Sequence, residues 1–245
     1  QAAGILFRSG VLEAEAQKAN IGFLSRIIKN RPAITLKLAN SLDAKIATKT
    51  GESQWITGVA SRAYVHYLRA THDAVMVGSG TSLADDPSLT VRLSGLEGRR
   101  PVRIVLDSNL STPLNSHIGQ TTQDIPVWLC HGSNAERKNW SQTNAELIEC
   151  ASDSDGLHLT DVLTKLAAKG ITRVFCEGGG KLAASLIHEG YVDRLITITA
   201  GIAIGSDGTP NLGKLGVDTL TQAPRFKLVS HLHLGDDLMS EWQPF

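Results

Sequence analysis

The chain has 245 residues and carries 24 Lys and Arg against 24 Asp and Glu, so its formal net charge is zero. That balance speaks against a nucleic-acid surface or an acidic partner, and no apolar run is long enough to span a bilayer. The opening stretch QAAGILFRSG has neither a basic leader nor a long apolar core. No secretory signal is therefore expected, and a chain starting at Gln1 reads as a piece of something longer. The length suffices for one sizeable α/β domain, or one domain plus an extension.

Residues 11–29 place Leu12, Ala16, Phe23 and Ile27 at helical spacing with charges between them, and Arg31-Pro32 ends that predicted helix. The stretch AITLKLANS then alternates, with Ile34, Leu36 and Leu38 on one face and Thr35 and Lys37 on the other, as a strand does. GESQWITG, residues 51–58, sets Trp55 among hydrogen-bonding neighbours instead of apolar ones, the composition of a wall of a small-molecule site. Thr57 is the candidate cap of a helix over residues 58–71, with Val59, Tyr64 and Leu68 in its apolar stripe and Arg62 and Arg69 near one face. DAVMVGSG reads as a buried strand ending in glycines, followed by a helical turn, the pair Asp85-Asp86 and Pro87.

PVRIVLD and IPVWLC are further apolar strands, and Thr160 is the candidate cap of a helix closed by Gly170. RVFCEGGGKLAASLIHEG runs from a strand through three glycines into a helix with Leu182, Leu186 and Ile187 facing inward. RLITITAGIAI, FKLVSHLHLG and DLMSEWQPF read as strands, the last two as a hairpin over Gly235-Asp236 with histidines on its polar face. Alternating strands and helices followed by strands alone predict a largely parallel sheet with an antiparallel end. The cysteines Cys130, Cys150 and Cys176 are far apart, with no CxxC spacing. They are expected to be buried small hydrophobes of a reducing compartment, and no metal site is expected.

Three glycines between a strand and a helix let a ligand come close to the backbone and aim free N–H groups at it, as in an anion site, although a tight turn explains them as well. The spacing is not the GxGxxG of a Rossmann fingerprint. Glu177, the last residue before those glycines, stands where α/β sheets bind ligands, at the C-terminal end of a strand. Lys37, Arg69 and Arg92 are each compatible with an ordinary solvated surface, Asp85-Asp86-Pro87 with a turn, and Trp55 with packing. Their order along the chain gives them weight.

In that order, TLKLANSLDAKIAT, GESQWIT, LRATHDAVMVGSGTSLADDPSLTVR, PVRIVLDS and VFCEGGGKLAASL resemble the riboflavin-biosynthesis pyrimidine reductases. These form the C-terminal half of bacterial bifunctional deaminase/reductase proteins. The resemblance covers residues 31–245 and implies a dihydrofolate-reductase-like α/β fold with a mixed, mostly parallel sheet flanked by helices. Residues 1–30 resemble the tail of a deaminase domain and its linker, while the deaminase zinc signature is absent from this chain. The implied reaction is the NADPH-dependent reduction of the ribosyl group of 5-amino-6-(5-phosphoribosylamino)uracil, in a cytoplasmic enzyme that is a homodimer or larger.

Carried over by position, the resemblance makes Ser53, Arg69, Leu89, Arg92 and Glu177 substrate contacts, the two arginines holding the 5′-phosphate. It makes Ala39, Trp55, Thr81, Asp85, Ser108 and the run Gly179, Gly180, Lys181, Leu182, Ala183, Ala184 and Ser185 cofactor contacts. Lys37 and Glu177 are the candidates for handling the ribosyl oxygens and the proton, with Asp43 in support. Two departures stand out. The family has glycine where this chain has Ala44, which costs about 1 kcal/mol if the position needs a positive φ. Asn109 and Ser111 stand where a basic residue would hold the 2′-phosphate, which weakens the expected preference for NADPH over NADH. A same-fold reductase of another pterin- or pyrimidine-like substrate, and a non-catalytic nucleotide-binding fragment supporting a deaminase, fit fewer of the five motifs.

Overall fold

The computed structural model describes residues 4–6 and 8–245, so part of the expected helical remnant at residues 1–30 lies outside the described residues. The first helical segment is two helices, α1 (Glu13–Ala19) and α2 (Ile21–Lys29), where one was expected over residues 11–29. Asn20 breaks it at φ −101°, ψ 12°, turning its side-chain amide back to the carbonyl of Ala16 at 2.9 Å. The expected apolar stripe is also not the packed one: Phe23 and Ile27 are 60% and 64% exposed. The face that packs carries Gly22 and Ser25, because a Cβ at Gly22 would lie 2.6 Å from Cγ of Arg173. The helix stops at Asn30, in the left-handed region at φ 51°, before Pro32.

The strands β1 (Ala33–Ser41) and β2 (Lys45–Ala47) precede α3 (Val59–Ala70), β3 (Ala74–Gly78) and α4 (Ser79–Asp85). After β4 (Val102–Leu106) come α5 (His117–Gln120), β5 (Val127–His131), β6 (Glu146–Glu149) and a two-residue pairing of β7 (Ser152–Asp153) with β8 (Gly156–Leu157). The chain continues through α6 (Leu159–Ala168), β9 (Arg173–Cys176), α7 (Gly180–His188), β10 (Val192–Ala200) and β11 (Thr209–Pro210). It ends with β12 (Phe226–Leu234) and β13 (Asp237–Pro244). Nine strands make one sheet in the order β12-β13-β10-β1-β9-β3-β4-β5-β6. Every pairing from β10 to β6 is parallel, and β13 and β12 close the other edge antiparallel. This is the mixed, mostly parallel sheet expected, with its C-terminal hairpin.

Both faces of the central strands are covered, which is why β3 reads as an unbroken apolar run and β4 as one interrupted only by the buried Arg103. Ile34, Leu36, Met76, Ile104 and Val174 pack under α6 and α7 with Leu163, Leu166 and Leu186. On the opposite face Val75, Val77, Val105, Phe175 and Ile196 pack with Leu68 of α3, Ile118 and Trp140. All three cysteines are free and buried. Asp193 ties the start of β10 to β1: it accepts two hydrogen bonds from Arg31, at 2.6 and 3.0 Å, and one from the backbone N–H of Ile34 at 2.9 Å.

Neither hydroxyl expected to cap a helix does so. The cap of α3 is Gly58, whose N–H, with the hydroxyl of Ser61, donates to Asp237 of the distant C-terminal hairpin at 2.7 and 2.5 Å. Helix α6 starts after His158, leaving Thr160 in its first turn paired with the Tyr191 hydroxyl, and Gly170 follows its end at φ 97° as expected. His231 and His233 are exposed on β12. Among the described residues no helix is long and apolar enough to cross a membrane.

Two outcomes follow for stability. Ala44 closes the turn from β1 to β2 with φ 61°, its N–H bonded to the carbonyl of Ser41, so the position does need the left-handed region. Ala44→Gly is expected to stabilise the fold by about 1 kcal/mol and raise the Tm by about 2–4 °C, read by thermal unfolding. His72 is half-buried against Phe175, between the carbonyl of Leu68 at 2.7 Å and the hydroxyl of Thr35 at 2.9 Å. Burial pushes its pKa down to about 4. The unfolded chain therefore binds the extra proton first, so stability is full above about pH 6.5 and falls as pH drops toward 4, by about 3 kcal/mol. In His72→Asn, denaturant unfolding between pH 7 and pH 4 should show a visibly flatter acid limb than in the wild type.

Candidate active site

Strand β9 is short, and the site is built on its ending. Cys176 pairs with Leu36 of β1 on one side and with Met76 of β3 on the other. Both neighbours then run on, β1 to Ser41 and β3 to Gly78, while the chain leaves the sheet through Glu177 and the glycines. The result is a crevice at the carboxyl ends of parallel strands, the place where open α/β sheets take ligands. The glycines are needed for this exit. A Cβ on Gly178 would meet the backbone of Val77 at 2.7 Å, and Gly179 has φ 38°.

Glu177 projects toward the α3 side of the sheet, as Phe175 does two residues before it. Its carboxylate is buried and held by Arg69 through two hydrogen bonds, Nε to Oε1 at 2.5 Å and Nη2 to Oε2 at 3.0 Å. Lys37 Nζ lies 3.7 Å from Oε2. Burial pushes the Glu177 pKa up, but the Arg69 and Lys37 charges outweigh it and the net shift is downward, so the carboxylate is ionised at neutral pH. Three of the five expected substrate or catalytic positions with charged side chains thus meet at one point.

Arg69 is not free to grip a phosphate with its paired edge. Besides Glu177 it donates Nη1 to the carbonyl of Thr90 at 2.9 Å, which leaves two of its five N–H groups. Arg92, beside it, is exposed, and its side chain makes no hydrogen bond or ion pair among the described residues. Its backbone N–H donates to Nδ1 of His66 at 3.2 Å. Asp85 is exposed at the rim, yet the surrounding protein raises its pKa, opposed by the Lys37 charge.

On the α6–α7 side the crevice opens into a cavity of about 770 Å³ lined by Gly78, Thr81, Leu106, Ser108, Leu157 and Leu182, among others. That volume lies in the range of cofactor sites, about 300–1,000 Å³. Of the expected cofactor residues Thr81, Ser108, Gly179, Lys181, Leu182 and Ser185 line it. Gly179 caps α7 with no side chain at the cap, so the first N–H groups of that helix are left for a ligand, as a pyrophosphate requires. The donor set and the shape fit a dinucleotide.

Several expected residues stand elsewhere. Ala183 and Ala184 are buried on the inner face of α7, and Gly180 packs on the carbonyls of Pro210 and Asn211. Leu89 is buried with φ 54°, so its side chain belongs to the core and only its backbone can face a ligand. Ala39 is half-buried against the α3-side core. Trp55 is 65% exposed, with the Arg62 guanidinium 4.6 Å over its ring, and Ser53 is half-buried in the same loop. Asp43 has a different task from the one expected. It accepts from the Ser41 hydroxyl at 2.6 Å and from the backbone of Ile204 and Gly205 at 3.0 and 2.6 Å, clamping that loop, and these bonds hold its pKa well down. Ser111 is likewise occupied by Asp107 at 2.9 Å.

The sequence reading missed two features. His66 lies between Arg62 and Arg69 on α3, at spacings of four and three that were legible once Arg62 and Arg69 had been placed on one face. The stretch 153–161, which lines the far end of the cavity with Asp153, Asp155, His158 and Asp161, has no apolar period to reveal it.

The model of the RibD C-terminal domain matches residues 32–240. A riboflavin biosynthesis protein RibD from Aquifex aeolicus is 35% identical over 237 residues, covering 97% of this chain and 65% of the relative. The 2,5-diamino-6-ribosylamino-4(3H)-pyrimidinone 5′-phosphate reductase of Methanothermobacter thermautotrophicus is 36% identical over 214 residues, covering 86% of this chain and 98% of the relative. Among solved structures, an Acinetobacter baumannii RibD superimposes with a TM-score of 0.87 at 28% identity, over all of this chain and 66% of that one. A dihydrofolate reductase from Enterococcus faecalis, at a TM-score of 0.50 and 12% identity over 86% of this chain and 96% of that one, shares the fold alone. The chain spans about two thirds of the RibD proteins it matches and nearly all of the shorter reductase. From its match over residues 32–240 and these identities, it belongs to the RibD C-terminal domain family.

Proposed function

We propose that this chain reduces C1′ of the ribosyl group of 5-amino-6-(5-phosphoribosylamino)uracil to the ribitylamino product, with NADPH as the reductant. The observation that carries this reading is the ionised Glu177, locked by Arg69 and facing Lys37 at the break of β9, beside a cavity of dinucleotide size. When bound in the α6–α7 cavity, the reduced nicotinamide supplies a hydride. The chain's own residues manage the rest. Opening of the sugar breaks the C1′–O4′ bond: O4′ takes a proton, the glycosidic nitrogen gives up its N–H proton, and C1′ becomes the carbon of a neutral C=N bond, which then gains one hydride at C1′ and one proton at nitrogen. Lys37 is the group placed to donate to the ribosyl oxygen, and Glu177 fixes the ammonium while accepting from the sugar hydroxyls. Arg92 holds the 5′-phosphate at the rim, with the remaining N–H groups of Arg69.

NADPH is the finer part of the proposal. Lys181 is the one lysine or arginine lining the cavity among the described residues, and its Nζ lies 3.3 Å from the carbonyl of Asp155. A 2′-phosphate would therefore be held mainly by hydroxyl and backbone donors. We also read residues 1–30, outside the matched span, as the tail of a preceding deaminase domain. The edge strand β12, with Leu228, Val229 and Leu232 partly exposed, is our candidate interface for a homodimer.

The test is to mix the purified chain with the phosphoribosylaminopyrimidine and follow the loss of reduced-nicotinamide absorbance, with NADPH and NADH in parallel. Pyrimidine-dependent oxidation is expected, and the ratio of the two rates reads the 2′-phosphate contribution. Dinucleotide binding without oxidation would overturn the proposal in favour of a supporting fragment. Glu177→Gln leaves two cations facing a neutral amide and should lower kcat/KM by roughly 100-fold or more. Arg92→Ala should raise the KM for the phosphorylated substrate by roughly 10- to 100-fold, with little change for the NADPH KM.

A further inference from the structure

The phosphate subsite in the proposed function lacks a second strong donor, because Arg69 has committed three of its N–H groups to Glu177 and Thr90. Helix α3 offers one. Arg62, His66 and Arg69 follow one another at spacings of four and three and so form a single stripe on its surface. The stripe runs from Trp55, which stacks on Arg62, to Glu177, which pairs with Arg69. His66, in its middle, touches the segment that carries Arg92: Nδ1 lies 3.1 Å from the carbonyl of Thr90 and 3.2 Å from the N–H of Arg92.

That geometry bears on what the other ring nitrogen can do. In the neutral tautomer whose Nδ1 accepts from Arg92 the proton sits on Nε2, whereas the other neutral tautomer gives its Nδ1–H to the Thr90 carbonyl and leaves Nε2 an acceptor. In the protonated ring Nδ1 donates to the Thr90 carbonyl, and Nε2 again carries a proton. Nε2 has no partner among the described residues, and it is not among the buried unpaired atoms. The Nε2–H tautomer and the protonated ring both present an accessible N–H beside Arg92, and the protonated state, which carries it whatever the starting tautomer, adds a charge.

We propose that His66 is a third donor of the phosphate subsite, with Arg92 and the outward N–H groups of Arg69, and that it takes up a proton when a dianion binds. The proposal rests on the phosphate reading of Arg69 and Arg92. The charged groups around His66 are Arg62 and Arg69 on its own helix, Arg92 on the adjacent segment and Glu177 at the end of β9, with Lys37 beyond Glu177. Partial burial and the Arg69 and Arg92 charges push its pKa down in the free protein, outweighing the Thr90 carbonyl and Glu177. A dianion neutralises those cations and so raises the pKa. A group whose pKa rises on binding strengthens binding fully below its free value and ceases to do so as pH passes its bound value.

Sulfate tests this without turnover and does not itself titrate between pH 5 and 8. The imidazole resonance of His66, assigned by its loss in His66→Gln, is titrated with and without saturating sulfate, and sulfate affinity is read from the shift in Tm with concentration. Sulfate should raise the His66 midpoint by about one unit, with roughly tenfold tighter binding at the acid end than at the alkaline end. His66→Gln should bind sulfate more weakly and without that pH dependence, and His66→Asn serves in its place if the glutamine variant is unfolded. An unmoved midpoint, with sulfate binding that Arg92→Ala still abolishes, would remove His66 and leave the subsite standing. Sulfate binding that ignores Arg92→Ala, or no sulfate binding at all, would overturn the phosphate reading itself and this inference with it.

Discussion

The molecule is organised around one buried carboxylate. Glu177 leaves the sheet where β9 ends, and an ionised carboxylate buried there without partners would cost several kcal/mol. Arg69 from α3 and Lys37 from β1 supply the compensation, so three segments distant in the sequence must come together before any is comfortable. The dependence runs both ways. Lys37 reaches Glu177 because β1 alternates with its lysine on the α3 face, and Arg69 reaches it because α3 packs on that face through Leu68. Removing the carboxylate would leave two cations side by side, which is why the cluster reads as an assembled unit.

The same strand ending separates the two halves of the site. On the α3 face stand Lys37, Arg69, His66 and Arg92, around Glu177. On the α6–α7 face the cavity lies under Leu106, Leu157 and Leu182, with the glycine turn at its mouth. Between them is the gap left by β9 while β1 and β3 continue. Two ligands entering from opposite faces would meet there, over the end of one strand. A reaction between two bound molecules needs little more than this arrangement, since holding both in register removes most of the entropic cost of their encounter.

Much of this was legible in the sequence, for definite physical reasons. The alternation of Ile34, Leu36 and Leu38 against Thr35 and Lys37 placed the lysine off the core face, and the glycines after Cys176 marked a strand end with Glu177 at its lip. The parallel sheet and its antiparallel hairpin followed from the order of periodic segments. What stayed hidden depends on contacts between distant residues. The packed face of α2 is set by Gly22 lying against Thr172 and Arg173. The start of α3 is anchored by Asp237, 179 residues beyond the Gly58 cap. Asp43 stood only as a supporting candidate beside Lys37 and Glu177, and its bonds to residues 204 and 205 are invisible before folding. Arg69 was assigned a phosphate because a sequence shows a guanidinium but not which of its N–H groups are already taken.

The formal net charge of zero concealed a local imbalance. On the α3 side Lys37, Arg69 and Arg92 outnumber Glu177 and Asp85, and Arg62 continues the positive stripe. The cavity on the other side is lined by Asp153, Asp155, Asp161 and Glu189 against Lys181. Opposite charges gathered on two sides of one crevice cancel in the sum while producing a field across it. An anionic ligand would be drawn to the α3 side by charge. A pyrophosphate on the other side would have to be bound against that field, and the backbone N–H groups at the start of α7 would suit it, since their dipoles are fixed and need no counter-ion. This accounts for the chemistry of the two ends. On the proposed function, glycines would serve where the backbone must do the binding, and long cationic side chains where charge can.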